Sequence, residues 1–169
     1  MNKVKAIYPG SFDPPTNGHL DLIERGSRIF EELVVSVLQN REKSPLFSVE
    51  ERMDMLRATT KHIPNVRVTS FHGLLVEYVQ KENAQAVLRG IRAISDYEYE
   101  LQMALMNRRL SPGTETVFMM PADQYSYLSS RLVKEIHRNG GKITGLVPAL
   151  VEERMHQKLK ESGNQGQEG

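Results

Sequence analysis

The sequence predicts an α/β fold: a Rossmann-like, doubly wound, five-stranded parallel sheet with helices on both faces. Three observations carry that expectation. Five short apolar runs alternate with amphipathic ones along the chain, the pattern of successive βα units rather than of a bundle or a sandwich. Val4–Tyr8 and Leu33–Leu38 are apolar almost throughout, as strands are when helices cover both their faces. No internal repeat and no long linker interrupts the alternation, so one domain is expected.

Taken in order, Val4–Tyr8 is the first strand, closed by Pro9-Gly10. The helix after His19 puts Leu20, Ile23, Ser27 and Phe30 on one stripe, with Leu22 and Ile29 beside it and Glu24, Arg25 and Arg28 outside it. Leu33–Leu38 is the second strand, and the loop behind it carries Lys43. Ser48 with Glu51 three residues on is a capping box, opening a helix over Val49–His62. Val66–Phe71 alternates, which predicts a third strand nearer an edge. His72-Gly73 turns the chain into a helix over Leu74–Glu82, and Ala86–Leu88 is a short fourth strand ending at Arg89-Gly90-Ile91-Arg92. Ser95 is the expected cap of a long helix to Leu110, acidic at its start and basic at its end in accord with the helix dipole. Its middle, Leu101–Met106, is apolar nearly all round, which predicts burial on more than one side. Thr116–Met120 is the fifth strand. Asp123–Leu128 is a loop, Ser129-Ser130 start a helix ended by Asn139-Gly140-Gly141, and Pro148 opens a last helix to Lys160. Residues 1–161 are expected as the folded domain, and 162–169, without an apolar residue, as a disordered tail.

Composition excludes several classes. Lys plus Arg number 22 against 21 Asp plus Glu, a net charge of +1, which disfavours nucleic acid as a partner. There is no Cys, hence no disulfide and no thiolate metal site. No apolar run approaches the ~20 residues of a membrane span, and Met1–Lys5 leads into a strand without a signal-peptide core. A cytoplasmic protein with no membrane partner is the expectation.

The chemistry gathers on Gly10-Ser11-Phe12-Asp13-Pro14-Pro15-Thr16-Asn17-Gly18-His19. A strand feeding a glycine-containing loop and then a helix brings backbone N–H groups to a phosphate. Gly18-His19 adds an imidazole in the helix's first turn, beside the positive end of its dipole. Open parallel sheets bind ligands at the C-terminal ends of their strands, where strand order reverses. The other candidates fall at that edge: Lys43 after strand two, Leu74 and Leu75 after three, Arg89 and Arg92 after four, Ser129 and Ser130 after five. Singly, each has a plain reading as a solvated lysine, a capping serine or a surface arginine. Arg89 is the exception, because an arginine directly after an apolar strand needs a partner if it is buried. Together, the cations and two helix N-termini make a polyphosphate site.

Tyr8-Pro-Gly-Ser-Phe-Asp-Pro-Pro-Thr-Asn-Gly-His19 resembles the (H/T)-x-G-H signature of the nucleotidyltransferase superfamily. Arg89–Arg92, Asp96–Glu100, Met106-Asn107-Arg108 and Tyr127–Ser130 resemble, within it, the bacterial phosphopantetheine adenylyltransferases, and the likeness runs over about residues 4 to 160. It implies transfer of AMP from ATP to 4′-phosphopantetheine, giving dephospho-coenzyme A and pyrophosphate, with Mg²⁺ and a homohexamer. By that resemblance His19 is catalytic. Ser11, Lys43, Leu75 and Arg89 would bind 4′-phosphopantetheine. Ser11, Phe12, His19, Gly90, Ile91, Arg92, Glu100 and the run Tyr125, Ser126, Tyr127, Leu128, Ser129, Ser130, Arg131 would bind ATP. No residue is expected as a metal ligand. Ser11 replaces the threonine of many relatives and keeps a hydroxyl. Arg131 stands where the family pattern has a serine; it either adds a cation near the phosphates or points to solvent. The rival acceptor is a nucleotide such as nicotinamide mononucleotide, whose base would want aromatic stacking, whereas Leu74, Leu75, Met103 and Met106 suit an apolar pantetheine arm. The rival class is a non-catalytic nucleotide-binding module.

Overall fold

The computed structural model describes residues 3–39 and 44–165. Strands β1 (Lys5–Gly10), β2 (Glu32–Leu38), β3 (Val66–Phe71), β4 (Ala86–Gly90) and β5 (Glu115–Met119) form one sheet. Helices α1 (Asn17–Ser27), α2 (Val49–Thr60), α3 (Leu75–Lys81), α4 (Ile94–Leu110), α5 (Ser130–Arg138) and α6 (Ala149–Gln165) surround it. All pairings are parallel in the order β3-β2-β1-β4-β5. The order reverses between β1 and β4, and a crevice opens there at the strands' C-terminal ends.

Alternation along each strand sends successive side chains to opposite faces. Ala6, Leu33, Val35, Ala86 and Leu88 pack on one face against Leu22 and Ile23 of α1 and Met53 and Leu56 of α2. Ile7, Val34 and Val87 pack on the other against Tyr78 and Val79 of α3. Helices therefore cover both faces, as the unbroken apolar strands require. A second core lies off the sheet, where Met55 of α2, Val133 of α5 and Val151 and Met155 of α6 meet around Phe47 and Ile143.

Most boundaries lie within two residues of expectation. The reciprocal cap of α2 is present: Glu51 N–H donates to Ser48 Oγ at 3.2 Å, and Ser48 N–H to Glu51 Oε2 at 2.8 Å. β4 runs two residues further than expected, because Arg89 and Gly90 pair with Phe118 and Met119 of β5. A Cβ at position 90 would lie 2.6 Å from Leu22 Cδ1, so any larger residue there would have to displace the tip of that leucine. α5 ends as expected, with Gly140 at φ 74° and Gly141 N–H on Ile136 O at 2.9 Å.

Three expectations are corrected. Ser95 is not the cap of α4; Ala93 is, with no side-chain hydrogen bond, and Ser95 is the helix's second residue. The apolar middle of α4 is not buried: Leu105 and Met106 are 55% and 51% exposed, while the residues α4 turns inward are Glu100 and Asn107. One α4 face meets the body of the domain, and among the described residues nothing covers the other. α6 continues past Lys160 to Gln165, so the expected tail does not begin at 162; residues 166–169 lie outside the described residues. Helix propagation costs little once a docked turn has nucleated it.

Candidate active site

The C-terminal ends of β1 and β4 and the N-termini of α1 and α5 enclose a cleft of about 350 Å³. Its wall begins with the β1–α1 loop. Phe12 takes a left-handed φ of 47°, rare for an aromatic residue, and is held there by burial and by edge contacts with Tyr8 at 5.3 Å and His19 at 5.0 Å. Such strain persists only where surrounding contacts over-determine it. Asp13, buried, accepts from Leu46 N–H and Phe47 N–H at 2.9 Å each and from Lys134 Nζ at 3.0 Å. Buried Arg52 donates to Ser11 O at 2.7 Å. Ser130 Oγ donates to Pro14 O at 2.7 Å. The loop is thus fixed from α2, from α5 and from the segment after β2.

Thr16 caps α1 and His19 is its third residue, completing a capping box with histidine in the place usually held by Glu or Gln. Thr16 N–H donates to His19 Nδ1 at 3.0 Å. Nδ1 is therefore the acceptor, and the neutral ring carries its proton on Nε2. Burial, followed by the charge of Arg92, lowers the His19 pKa to about 4. His19 is thus a neutral donor lining the cleft, held in one tautomer by the backbone of its own helix cap.

Two carboxylate–arginine pairs face it. Arg89 donates through Nε to Glu100 Oε2 at 2.8 Å, through Nη2 to Oε1 at 2.5 Å and through Nη1 to Pro9 O at 3.2 Å. Burial opposes the Arg89 charge, and the Glu100 carboxylate outweighs it, so the pKa is raised. Arg92 donates to Asp96 Oδ2 at 3.2 Å and to Leu128 O at 2.8 Å. Ser129 Oγ accepts Leu132 N–H at 3.1 Å as the cap of α5.

The structure brings Ser11, Phe12, His19, Arg89, Gly90, Arg92, Glu100, Tyr125, Leu128, Ser129, Ser130 and Arg131 into this one cleft. Ile91 and Ser126 line an adjoining recess with Arg92 and Pro121. Leu75 opens α3, Tyr127 is largely exposed, and neither lines these two recesses. Lys43 lies outside the described residues. Sequence reasoning missed Tyr8, Pro9, Thr16, Leu22, Asp96 and Pro121 as lining residues. Two signals were legible: Thr16 stands three residues before His19, the spacing of a cap, and Asp96 four after Arg92, one helical turn. Among the described residues no group of three or more His, Cys, Asp or Glu could hold a metal ion, and the cleft's Asp96 and Glu100 are engaged by arginines. No described helix is long and apolar enough to cross a membrane.

A family model for cytidylyltransferase-like proteins matches residues 7–136. The chain is 55% identical to a phosphopantetheine adenylyltransferase of Caldanaerobacter subterraneus over 93% of its own length and 98% of that protein. It is 54% identical to the enzyme of that name from Dictyoglomus turgidum, again over 93% and 98%. A Clostridium botulinum protein with the same name is 57% identical over 86% of this chain and 92% of its own. Among solved structures, one described as a nicotinate-nucleotide adenylyltransferase of Vibrio parahaemolyticus superposes with a TM-score of 0.66 at 17% identity, over 91% of this chain and 99% of that one. At that identity the likeness speaks for the fold alone.

Proposed function

The chain belongs to the cytidylyltransferase-like nucleotidyltransferases and, within them, to the phosphopantetheine adenylyltransferases, and from that premise we propose how its cleft performs the transfer. AMP passes from ATP to 4′-phosphopantetheine, giving dephospho-coenzyme A and pyrophosphate, the penultimate step of coenzyme A synthesis. A phosphate oxygen of the acceptor attacks the α-phosphorus in line, and the electrons of the breaking α–β bridge leave on pyrophosphate. The protein supplies no nucleophile; its work is positioning and electrostatic stabilisation.

The observation that carries this reading is the neutral His19, fixed by Thr16 beside the N-termini of α1 and α5. Its Nε2–H donates to the α-phosphate as negative charge grows there. Being already neutral and oriented, it reorganises little at the moment of reaction. Arg89, aimed by Glu100, holds the acceptor phosphate, and we assign Lys43 to the same phosphate. The first turn of α5 and the run 125–131 receive the β- and γ-phosphates. Leu75 contacts the pantetheine arm. Mg²⁺ would be held chiefly by the phosphate oxygens of ATP and by waters and would neutralise charge on the departing pyrophosphate; Asp96 and Glu100 of the cleft are engaged by Arg92 and Arg89. We also propose a cytoplasmic homohexamer, for which the exposed apolar face of α4 is the support.

The deciding experiment measures pyrophosphate release from MgATP with 4′-phosphopantetheine, with nicotinamide mononucleotide and with neither. Release that depends on phosphopantetheine is the expected result. Release only with the nucleotide would overturn the acceptor assignment, and ATP binding without release would favour a non-catalytic module.

A further inference from the structure

We propose that Arg52, buried behind the cleft, is a positioning residue for the transfer: by holding the carbonyl of Ser11 it turns the Phe12 N–H toward the reacting phosphates, as a second donor beside His19. The role rests on the AMP transfer described above. Arg52 is the fourth residue of α2 and almost wholly buried. It lines neither recess of the site. Its Nε donates to Ser48 O at 3.2 Å and its Nη1 to Ser11 O at 2.7 Å. Among the described residues no carboxylate forms an ion pair with it. Asp13 is bonded to Lys134 at 3.0 Å and reaches Arg52 only through its field. Burial lowers the Arg52 pKa more than Asp13 raises it, yet a guanidinium stays charged. A buried cation held by two carbonyls, near the positive end of its own helix, costs stability. What it gains is a hold on the β1–α1 loop.

In a trans peptide the C=O and the next N–H point in opposite directions. Ser11 O is drawn to Arg52, outside the lining of the cleft, whereas Ser11 and Phe12 both line it. The Phe12 N–H therefore faces away from Arg52, and it donates to no backbone acceptor among the described residues. The far side of the peptide is held as well. Phe12 keeps its left-handed φ of 47° with its ring buried against Tyr8 and His19. The Ser11–Phe12 peptide is thus pinned at both ends. The charged donor on its carbonyl also polarises it, which strengthens the N–H as a donor. A pre-oriented N–H is what negative charge growing at the α-phosphate requires. Arg52 supplies that orientation from behind the wall, without touching the substrate. A local rule broken next to a functional cleft is the pattern expected of a residue kept for its effect on the site.

Arg52→Met keeps an unbranched apolar stem and removes the guanidinium. In the folded variant kcat should fall ~10²-fold in both directions while each KM stays within about threefold, the signature of a misaimed donor rather than of a lost binding contact. The Phe12 amide signal of ¹⁵N-phenylalanine-labelled protein should move upfield in nitrogen, because its peptide carbonyl has lost a charged donor. Arg52→Lys, which returns a cation, should recover part of both. Wild-type kcat in folded Arg52→Met would overturn the proposal, even with a lower melting temperature, and would leave Arg52 a purely structural residue. A lowered kcat with the Phe12 signal unmoved would overturn it too, as would a loss confined to the KM of one substrate. Should Arg52→Met not fold, Arg52→Lys carries the test: a lowered kcat with a displaced Phe12 signal is expected, and an unmoved signal would overturn the proposal. Wild-type protein that releases no pyrophosphate with any acceptor would refute the underlying transfer instead, and the Phe12 signal would then test the positioning by itself.

Discussion

At the scale of the residue, His19 shows how a local backbone contact sets chemistry. With its pKa near 4, the wild-type kcat should show no ionisation of His19 between about pH 5.5 and 8, and His19→Ala should lower kcat by ~10²–10³. A pH–rate profile for each checks both statements; a wild-type inflection near 6.5 that vanishes in the variant would mean that the ring titrates. Glu100 makes a second prediction. Because both its oxygens bind Arg89, Glu100→Gln and Arg89→Ala should each raise the KM for 4′-phosphopantetheine, and the double variant should cost less than the two effects combined. Steady-state kinetics of the three variants, with each substrate varied in turn, settle it. His19 was legible from Thr-x-Gly-His after a strand. Its tautomer was not, because that depends on Thr16 N–H. The Arg89–Glu100 pair was half legible: an arginine after an apolar strand demands a partner, but which carboxylate on a distant helix supplies it is decided by tertiary packing.

At the scale of the element, the β1–α1 loop is held by contacts that no local pattern announces. Asp13 joins it to the segment at 46–47 and to α5 through two backbone N–H groups and Lys134. Asp13→Asn should destabilise the domain by about 2–4 kcal/mol, since it strands a partly buried ammonium and turns an acceptor into a donor; urea unfolding measures it. The α5–α6 contact adds a pH dependence. His137 Nε2 and His156 Nδ1 lie 3.1 Å apart, and burial, then the His156 charge, lowers the His137 pKa. The unfolded chain therefore binds a proton at a higher pH than the folded one. The stability in question is complete above about pH 6.5, the unfolded value, and is lost as pH falls through the lower folded value. Melting temperatures at pH 7.5 and 5.5 should differ by less in His137→Gln than in wild type. The central strands β1 and β2 were legible because their burial is two-sided and their runs nearly unbroken, and the edge strand β3 because its residues alternate. The α4 cap was misread because Ser95 looked like a better cap than Ala93, yet the chain enters the helix at Ala93 with φ −137° and ψ 163°, outside helical geometry.

For the whole molecule, α4 presents Leu105, Met106, Leu110 and Tyr99 to solvent in the single chain, and exposed apolar side chains grouped on one element are candidates for an interaction surface. Leu105→Glu should reduce the assembled mass seen by light scattering without unfolding the protomer, because that side chain is already 55% exposed within it. A mass unchanged from wild type would remove this face from the interface. The apolar run Leu101–Met106 suits either a wall for the pantetheine arm or a subunit interface, and sequence alone does not apportion it; in the single chain Leu105 and Met106 stay exposed. Strand order, finally, dictates what a nascent chain exposes. β1 can find β2 once the first βαβ unit has been made, but its other edge has no partner until β4 is available, with Ala6 facing Ala86 and Ile7 facing Val87 in the finished sheet. Until then an apolar central strand, together with the half of the cleft already made, stands open to other chains. During synthesis the vulnerable edge of this protein is thus the middle of its finished sheet, and completing that sheet both closes the route to aggregation and brings the parts of the cleft together.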